Sequence, residues 1–186
     1  MKKYILFAGV NGAGKSTLYN TNEAFKGMKR VNSDEIVKSI GNWQNTVDSL
    51  EASKMAIKMI SSFFEAGETF NQETTLCGKS IFNNILKAKE LGYIVEIHYV
   101  GLDSVEIAKN RVAYRVKHGG HGIPEKDIER RYLESFKGIK KCMDMIDLLV
   151  MYDNTEEFRR FAIYKNGKKY LISNNQPSWY KKYIDY

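Results

Sequence analysis

The stretch Gly9-Val10-Asn11-Gly12-Ala13-Gly14-Lys15-Ser16 decides the reading of this chain. It fits G-x-x-x-x-G-K-[S/T], follows the short apolar run Tyr4 to Val10, and opens a helical pattern from about Lys15. Glycines let backbone N–H groups converge on phosphate oxygens, and a helix N-terminus adds partial positive charge there. Lys15 would bridge β- and γ-phosphates, and the Ser16 hydroxyl would ligate Mg²⁺. Gly9, Asn11, Gly12, Ala13, Gly14, Lys15, Ser16 and Thr17 are therefore expected to hold nucleotide phosphate, with Asn11 and Ala13 as plain fillers of the loop. A glycine-rich turn with an exposed lysine is the rival reading; strand before, helix after and the fixed Lys-Ser pair favour phosphate. The chain has no Asn-Lys-x-Asp guanine signature, so ATP is expected rather than GTP.

Outward from this loop, apolar runs alternate with helical patterns. Lys29 to Asn32 reads as a weak strand, with Ser33 placed to cap a helix over Glu35 to Ile40. Asp48 to Ala66 is a helix by the recurrence of Ala52, Met55, Met59, Ile60 and Phe63, stopped by Gly67. Thr69 to Thr74 is a strand, Lys79 to Leu91 a helix with Ile81, Ile85 and Ala88 on one face, and Tyr93 to Val100 another strand. Ser104 to Lys117 and Pro124 to Met143 are helices around Gly119-Gly120-His121-Gly122, a candidate hinge, with Pro124 suited to a first helical turn. Ile146 to Tyr152 is a last buried strand, and Ala162 to Tyr164 with Lys169 to Ile172 flank Asn166-Gly167, a two-residue hairpin signal. The alternation predicts an α/β P-loop NTPase fold: a three-layer α/β/α domain with a mostly parallel sheet, small-kinase-like, plus a C-terminal β-hairpin. Residues 1–157 are expected to form the P-loop kinase domain, and 158–186 a basic hairpin and tail packed on it.

Composition bounds the rest. With 186 residues, 43% hydrophobic and 27% charged, the chain reads as one globular domain, which excludes disordered, collagenous and fibrous classes. Cys77 and Cys142 are far apart and lack metal-ligand spacing, so a reducing cytoplasm is expected rather than a disulfide framework or zinc site. The Met1-Lys2-Lys3 start with its apolar run imitates a signal peptide but leads straight into the glycine loop, and no run approaches a membrane span. Of the net charge of +7, residues 158–186 hold +6 in seven Lys+Arg and one Asp. A basic end of that kind meets phosphate, an acidic partner or only water.

Ligands of parallel sheets sit at the carboxyl ends of the strands, so chemistry is sought there. Asp34 ends the second strand, where a carboxylate would take the proton of an acceptor hydroxyl and orient it for in-line attack; the alternative is a helix cap. Glu73 and Thr75 close the next strand, to bind substrate hydroxyls or, for Glu73, to serve the Mg²⁺ shell through water. Residues 109–131 hold Lys109, Arg111, Arg115, Lys117, Lys126, Arg130 and Arg131, a density suited to an arginine lid over polyphosphate, against the plainer reading of a solvated helix face. His121 stays outside the catalytic set because no partner is visible, and His98 is read as structural.

These residues, together with Asn32-Ser33-Asp34, Glu73-Thr74-Thr75-Leu76-Cys77-Gly78, Arg111 to Val116, Gly119-Gly120-His121, Pro124, Arg130-Arg131-Tyr132 and Tyr152-Asp153-Asn154, form an ordered set. That set resembles the zeta toxin family of P-loop kinases, closest to its chromosomal branch of predicted ATPases, over about residues 4 to 155. The resemblance implies ATP- and Mg²⁺-dependent transfer of the γ-phosphate to a sugar-nucleotide hydroxyl, the 3′-OH of the N-acetylglucosamine of UDP-N-acetylglucosamine in the characterised toxins. It also implies Lys15 and Ser16 on phosphate and metal, Asp34 as base, Glu73 and Thr75 on the sugar nucleotide, Arg115 with Arg130 or Arg131 as lid arginines, and an antitoxin protein as partner class. Two departures bear on the acceptor: the chain is shorter than many plasmid toxins, and it has Glu73-Thr74-Thr75 where they often have Glu-Gly-Thr. Rival readings are a kinase for a nucleoside, antibiotic or polynucleotide end, and a non-catalytic ATP-dependent switch or nucleic-acid-binding module.

Overall fold

The P-loop strand is the third of seven, and the middle of five parallel ones, in the sheet of a computed structural model that describes residues 1–185. The strands are β1 (Lys3–Ala8), β2 (Lys29–Val31), β3 (Phe70–Thr74), β4 (Ile94–Gly101), β5 (Leu148–Asp153), β6 (Arg159–Lys165) and β7 (Lys168–Ile172). Their order is β2-β3-β1-β4-β5-β6-β7; the first five are parallel, β6 pairs antiparallel with β5, and β7 pairs antiparallel with β6. The chain leaves β1 toward one edge and crosses from β3 to β4 toward the other, so the strand order reverses at β1. In open parallel sheets that reversal opens a crevice for ligands.

Among the described residues seven α-helices pack on the sheet: α1 (Lys15–Thr21), α2 (Ser33–Ile40), α3 (Thr46–Glu65), α4 (Lys79–Glu90), α5 (Val105–Lys117), α6 (Glu125–Cys142) and α7 (Ser178–Tyr183). The period of two in β1 distributes them over both faces of the sheet. Tyr4 packs its ring on Phe64 of α3 at 5.3 Å, and Tyr99, level with Ala8 on the same face, packs on Phe136 of α6 at 6.1 Å. Phe7, on the opposite face, packs on Tyr19 of α1 at 5.6 Å and on Phe25 at 4.9 Å.

Several local expectations are corrected. Asn32, not Ser33, caps α2, its side chain accepting from the Asp34 N–H at 3.0 Å, so neither Ser33 nor Asp34 is needed as the cap. The helix expected from Asp48 begins at Thr46 under an Asn45 cap, and its buried line is Ala52, Ala56, Ile60 and Phe64, leaving Met55 exposed. Pro124 stands as the cap of α6 rather than in its first turn. Asn166 and Gly167 both take positive φ (48° and 73°), the geometry the hairpin signal requires, but β6 starts at Arg159, earlier than its apolar core suggests. The tail carries the unanticipated α7: Trp179 is buried between Tyr99, Phe136 and Phe161 and donates its indole N–H to Asp153 at 3.0 Å. Tyr186, the last residue of that tail, lies outside the described residues. No helix among them is long and apolar enough to cross a membrane.

His98 sits inside the sheet face, stacked on Phe7, its Nδ1 3.2 Å from the Tyr152 hydroxyl. Burial, then the Lys3 charge, pushes its pKa down from 6.5 to about 4. Between those values the unfolded chain binds the proton and the folded one does not, so stability falls as the pH falls. Going from pH 7 to pH 5 is expected to cost about 2 kcal/mol through this side chain. Thermal melts of wild type and His98→Gln at the two pH values check this: the variant should lose that part of the acid sensitivity.

Candidate active site

The carboxyl ends of β1, β2 and β3, the α2–α3 connection and residues 121–131 enclose an open cleft of about 810 Å³. Gly12 shapes the loop at its base: its φ is 79°, and a Cβ there would lie 2.7 Å from the Ala108 carbonyl oxygen, so only glycine lets the loop press on α5. Asn154 braces the same loop by donating to the Ala13 carbonyl at 2.8 Å. Lys15 is buried, with Nζ donating to the Val10 carbonyl at 3.0 Å and 3.9 Å from Glu73. Burial lowers its pKa; Glu73 and Asp34 oppose that shift, and Arg115 and Arg131 add to it. Thr17 lies in the first turn of α1, exposed and outside the cleft lining.

Glu73 is the hub of the cleft floor. Its carboxylate accepts from the Ser16 hydroxyl at 2.9 and 3.1 Å, from Arg30 at 2.7 Å and from the Asn32 amide at 3.1 Å. The register explains the meeting: Glu73 stands level with Phe7 at the end of β1, and Arg30 level with Asn71 on the outer neighbour. Arg30 also donates to Asn71 at 3.0 Å and to Glu35 at 3.0 Å, and lies 3.9 Å over the Tyr19 ring. A hydroxyl beside a carboxylate suits Mg²⁺, which keeps most of its shell as water and phosphate and needs one or two protein groups. The described residues contain no cluster of three His, Cys, Asp or Glu that could hold a metal unaided.

Asp34 lines the cleft at the start of α2, one-third exposed, and His121 places Nε2 3.4 Å from its Oδ1. Thr75 lines the cleft beside Glu73. Arg131 reaches across to the Asn11 side chain at 3.2 Å, whereas Arg130 is half exposed and paired with Glu134 at 2.7 Å and Asp127 at 3.2 Å. Arg115 keeps Nε and Nη2 buried with no partner, as does Arg111 with Nη1, while Arg111 Nη2 donates to the Thr155 carbonyl. Buried guanidinium N–H groups left open are costly, and an anionic oxygen would satisfy them. Lys109 is held by Glu129 and Glu106, so it brings no free cation to the lid. The glycine joint packs closely: a Cβ on Gly122 would meet the Trp43 ring at 2.4 Å. Cys77 also lines the cleft, but burial raises its thiol, which leaves it a poor nucleophile.

Sequence reasoning missed Arg30 and the His121–Asp34 contact. A charged residue inside a short strand was a signal for the first, and a titratable residue among three glycines for the second.

Strand order, phosphate loop at the reversal point and flanking cleft define a P-loop kinase-like fold. The AAA domain family matches residues 5–138, and the chain belongs to that family. An uncharacterized protein of Haemophilus influenzae is 35% identical over 130 residues, 70% of this chain and 92% of that protein. Among solved structures, the AvrRxo1-ORF1:AvrRxo1-ORF2 complex with ATP contains a chain similar to 98% of this one, at a TM-score of 0.75 and 17% identity. This chain spans 63% of that chain's length. A chain of the PezAT chromosomal toxin-antitoxin system of Streptococcus pneumoniae is similar over 100% of this chain and 84% of its own, at a TM-score of 0.64 and 15% identity. These likenesses show the fold.

Proposed function

We propose that the protein is an ATP-dependent kinase that transfers the γ-phosphoryl group to a hydroxyl of a small acceptor. The observation that carries this reading is that buried Lys15, Asp34 and Glu73, the last accepting from the Ser16 hydroxyl, all line one cleft. A switch has no use for a carboxylate set opposite the phosphate loop; a phosphotransferase does. In this reading the phosphate loop and Lys15 hold the β- and γ-phosphates, and Asp34 takes the acceptor proton as its oxygen attacks phosphorus. Arg115 and Arg131 answer the charge spread over the equatorial oxygens. Arg130, already paired, would bear on the acceptor side of the cleft, where Thr75 also lies. Ser16 and Glu73 would hold Mg²⁺, which supplies charge neutralisation between the phosphates when bound.

The zeta toxin resemblance makes UDP-N-acetylglucosamine the first acceptor to test, and makes an antitoxin-like protein the partner class to seek. No described residue of the basic stretch 158–186 lines the cleft, which disfavours a polynucleotide acceptor guided by that tail. The test is incubation with ATP, Mg²⁺ and a panel of UDP-sugars and nucleosides, with Asp34→Ala as control, followed by mass spectrometry. An acceptor one phosphoryl group heavier, absent with the variant, is the expected result. ATP binding without any phosphorylated acceptor would turn the reading toward a switch.

A further inference from the structure

Resting on that kinase reading, we infer that His121 is a positioning residue for Asp34: its Nε2, an ion-pair distance from Oδ1 in this structure, closes to a hydrogen bond on that oxygen in the reacting complex and leaves Oδ2 facing the acceptor hydroxyl. The two residues are 87 positions apart in sequence, yet Nε2 lies 3.4 Å from Oδ1 inside the cleft. His121 is itself held on one side by Trp43, whose ring centroid is 5.6 Å away, and Gly122 brings the backbone down onto that indole. The imidazole is thus fixed by packing, as a residue that orients another must be.

A carboxylate at the end of a short helix has two equivalent oxygens and a nearly free terminal torsion. A donor on one oxygen removes that freedom and leaves the other oxygen turned to the acceptor. In the reaction, the acceptor O–H proton goes to Asp34 Oδ2, the acceptor oxygen forms its bond to the γ-phosphorus, and the bond from that phosphorus to the bridging oxygen breaks, its electron pair leaving with ADP. Asp34 then gives its proton to water, and His121 keeps its own throughout. Because His121 belongs to the glycine joint between α5 and α6, the base is aligned only when that joint lies over the cleft. Alignment is thereby carried by the same segment that holds Arg115 and Arg131, which flank the joint.

The charge state of His121 follows from what faces it: Asp34 from α2, Arg115 from α5 and Arg131 from α6, with the neutral Trp43 from the α2–α3 connection. Burial lowers its pKa; Asp34 opposes that, and the two arginines reinforce it. At neutral pH it is an uncharged donor. As pH falls it becomes a cation paired with Asp34 and no longer a neutral donor, so turnover falls on the acid side.

The test has two arms. His121→Ala should lower kcat roughly tenfold with ATP affinity unchanged. His121→Gln, which keeps an amide N–H near the place of Nε2, should restore most of the loss and remove the part of the acid limb that His121 sets, leaving that of the Asp34 base itself. Turnover is read as ADP release with UDP-N-acetylglucosamine and, in parallel, as basal ATP hydrolysis. A kcat unchanged in His121→Ala, or a glutamine variant as slow as the alanine variant, overturns the proposal. The second arm follows the His121 imidazole by NMR titration in wild type and Asp34→Asn, which requires no acceptor. Loss of the carboxylate should lower its pKa by about one unit, and an unchanged titration also overturns the proposal. Should Asp34→Asn keep full turnover while the titration shifts, the base assignment fails but the contact stands, so the two failures are distinguishable.

Discussion

Asp34→Asn is expected to lower kcat by about 10²- to 10⁴-fold, the usual worth of a positioned general base, with ATP affinity and melting temperature nearly unchanged. The substitution keeps size and polarity and removes only the ability to accept a proton. The helix should tolerate it because its capping oxygen belongs to Asn32, which receives the Asp34 backbone N–H whatever side chain position 34 carries. Asn32 is fixed in turn by its amide bonds to Glu35 and Glu73 at 3.0 and 3.1 Å. Equilibrium ATP binding, thermal melts and steady-state turnover of the same preparation decide the matter. A variant that melts early but turns over normally would make Asp34 a structural carboxylate and return the kinase reading to the phosphate loop alone.

The phosphate loop and the hairpin turn were legible in the amino-acid order because their chemistry is local: eight consecutive residues make the one, and Asn166-Gly167 the other. Glu73 was legible as a strand end, which the alternation of patterns locates without knowledge of strand order; Asp34 was located by the same alternation, but β2 ends at Val31 and Asp34 stands in the first turn of α2 rather than on the strand. Arg30 was not, because its meaning depends on β2 lying against β3 with Arg30 level with Asn71, a pairing across 41 residues. Arg130 and Arg131 could not be separated in the sequence. One residue of helix is a rotation of about 100°, and only the packing of α6 shows that this step turns Arg131 toward Asn11 and Arg130 toward Glu134. The same limit hid α7, whose Trp179 is defined by the pocket that Tyr99, Phe136 and Phe161 build from three separate elements.

Arg30→Ala is expected to destabilise the fold by about 3 to 5 kcal/mol, the cost of breaking a buried ion pair and leaving Glu73 only Lys15 at 3.9 Å as a cationic partner, and on the order of 10 °C in melting temperature for a chain of this size. The Arg30 and Glu73 side chains are only 9% and 11% exposed, so water cannot replace the lost guanidinium. The exposed pair of Lys26 with Glu23 offers the contrast: both groups are solvated, and its removal should cost well under about 1 kcal/mol. Loss of Arg30 also strips the cover from Tyr19 and a donor from Asn71, which is fully buried. The double variant Arg30→Ala with Glu73→Gln separates stability from function. Neutralising the stranded carboxylate should recover a large part of the melting temperature, whereas the ability to use Mg²⁺ should be lost along with Glu73. If the double variant melts as low as Arg30→Ala alone, the cost lies in the lost packing on Tyr19 rather than in unpaired charge. If it keeps its Mg²⁺-dependent turnover, Glu73 serves the sheet edge rather than the metal.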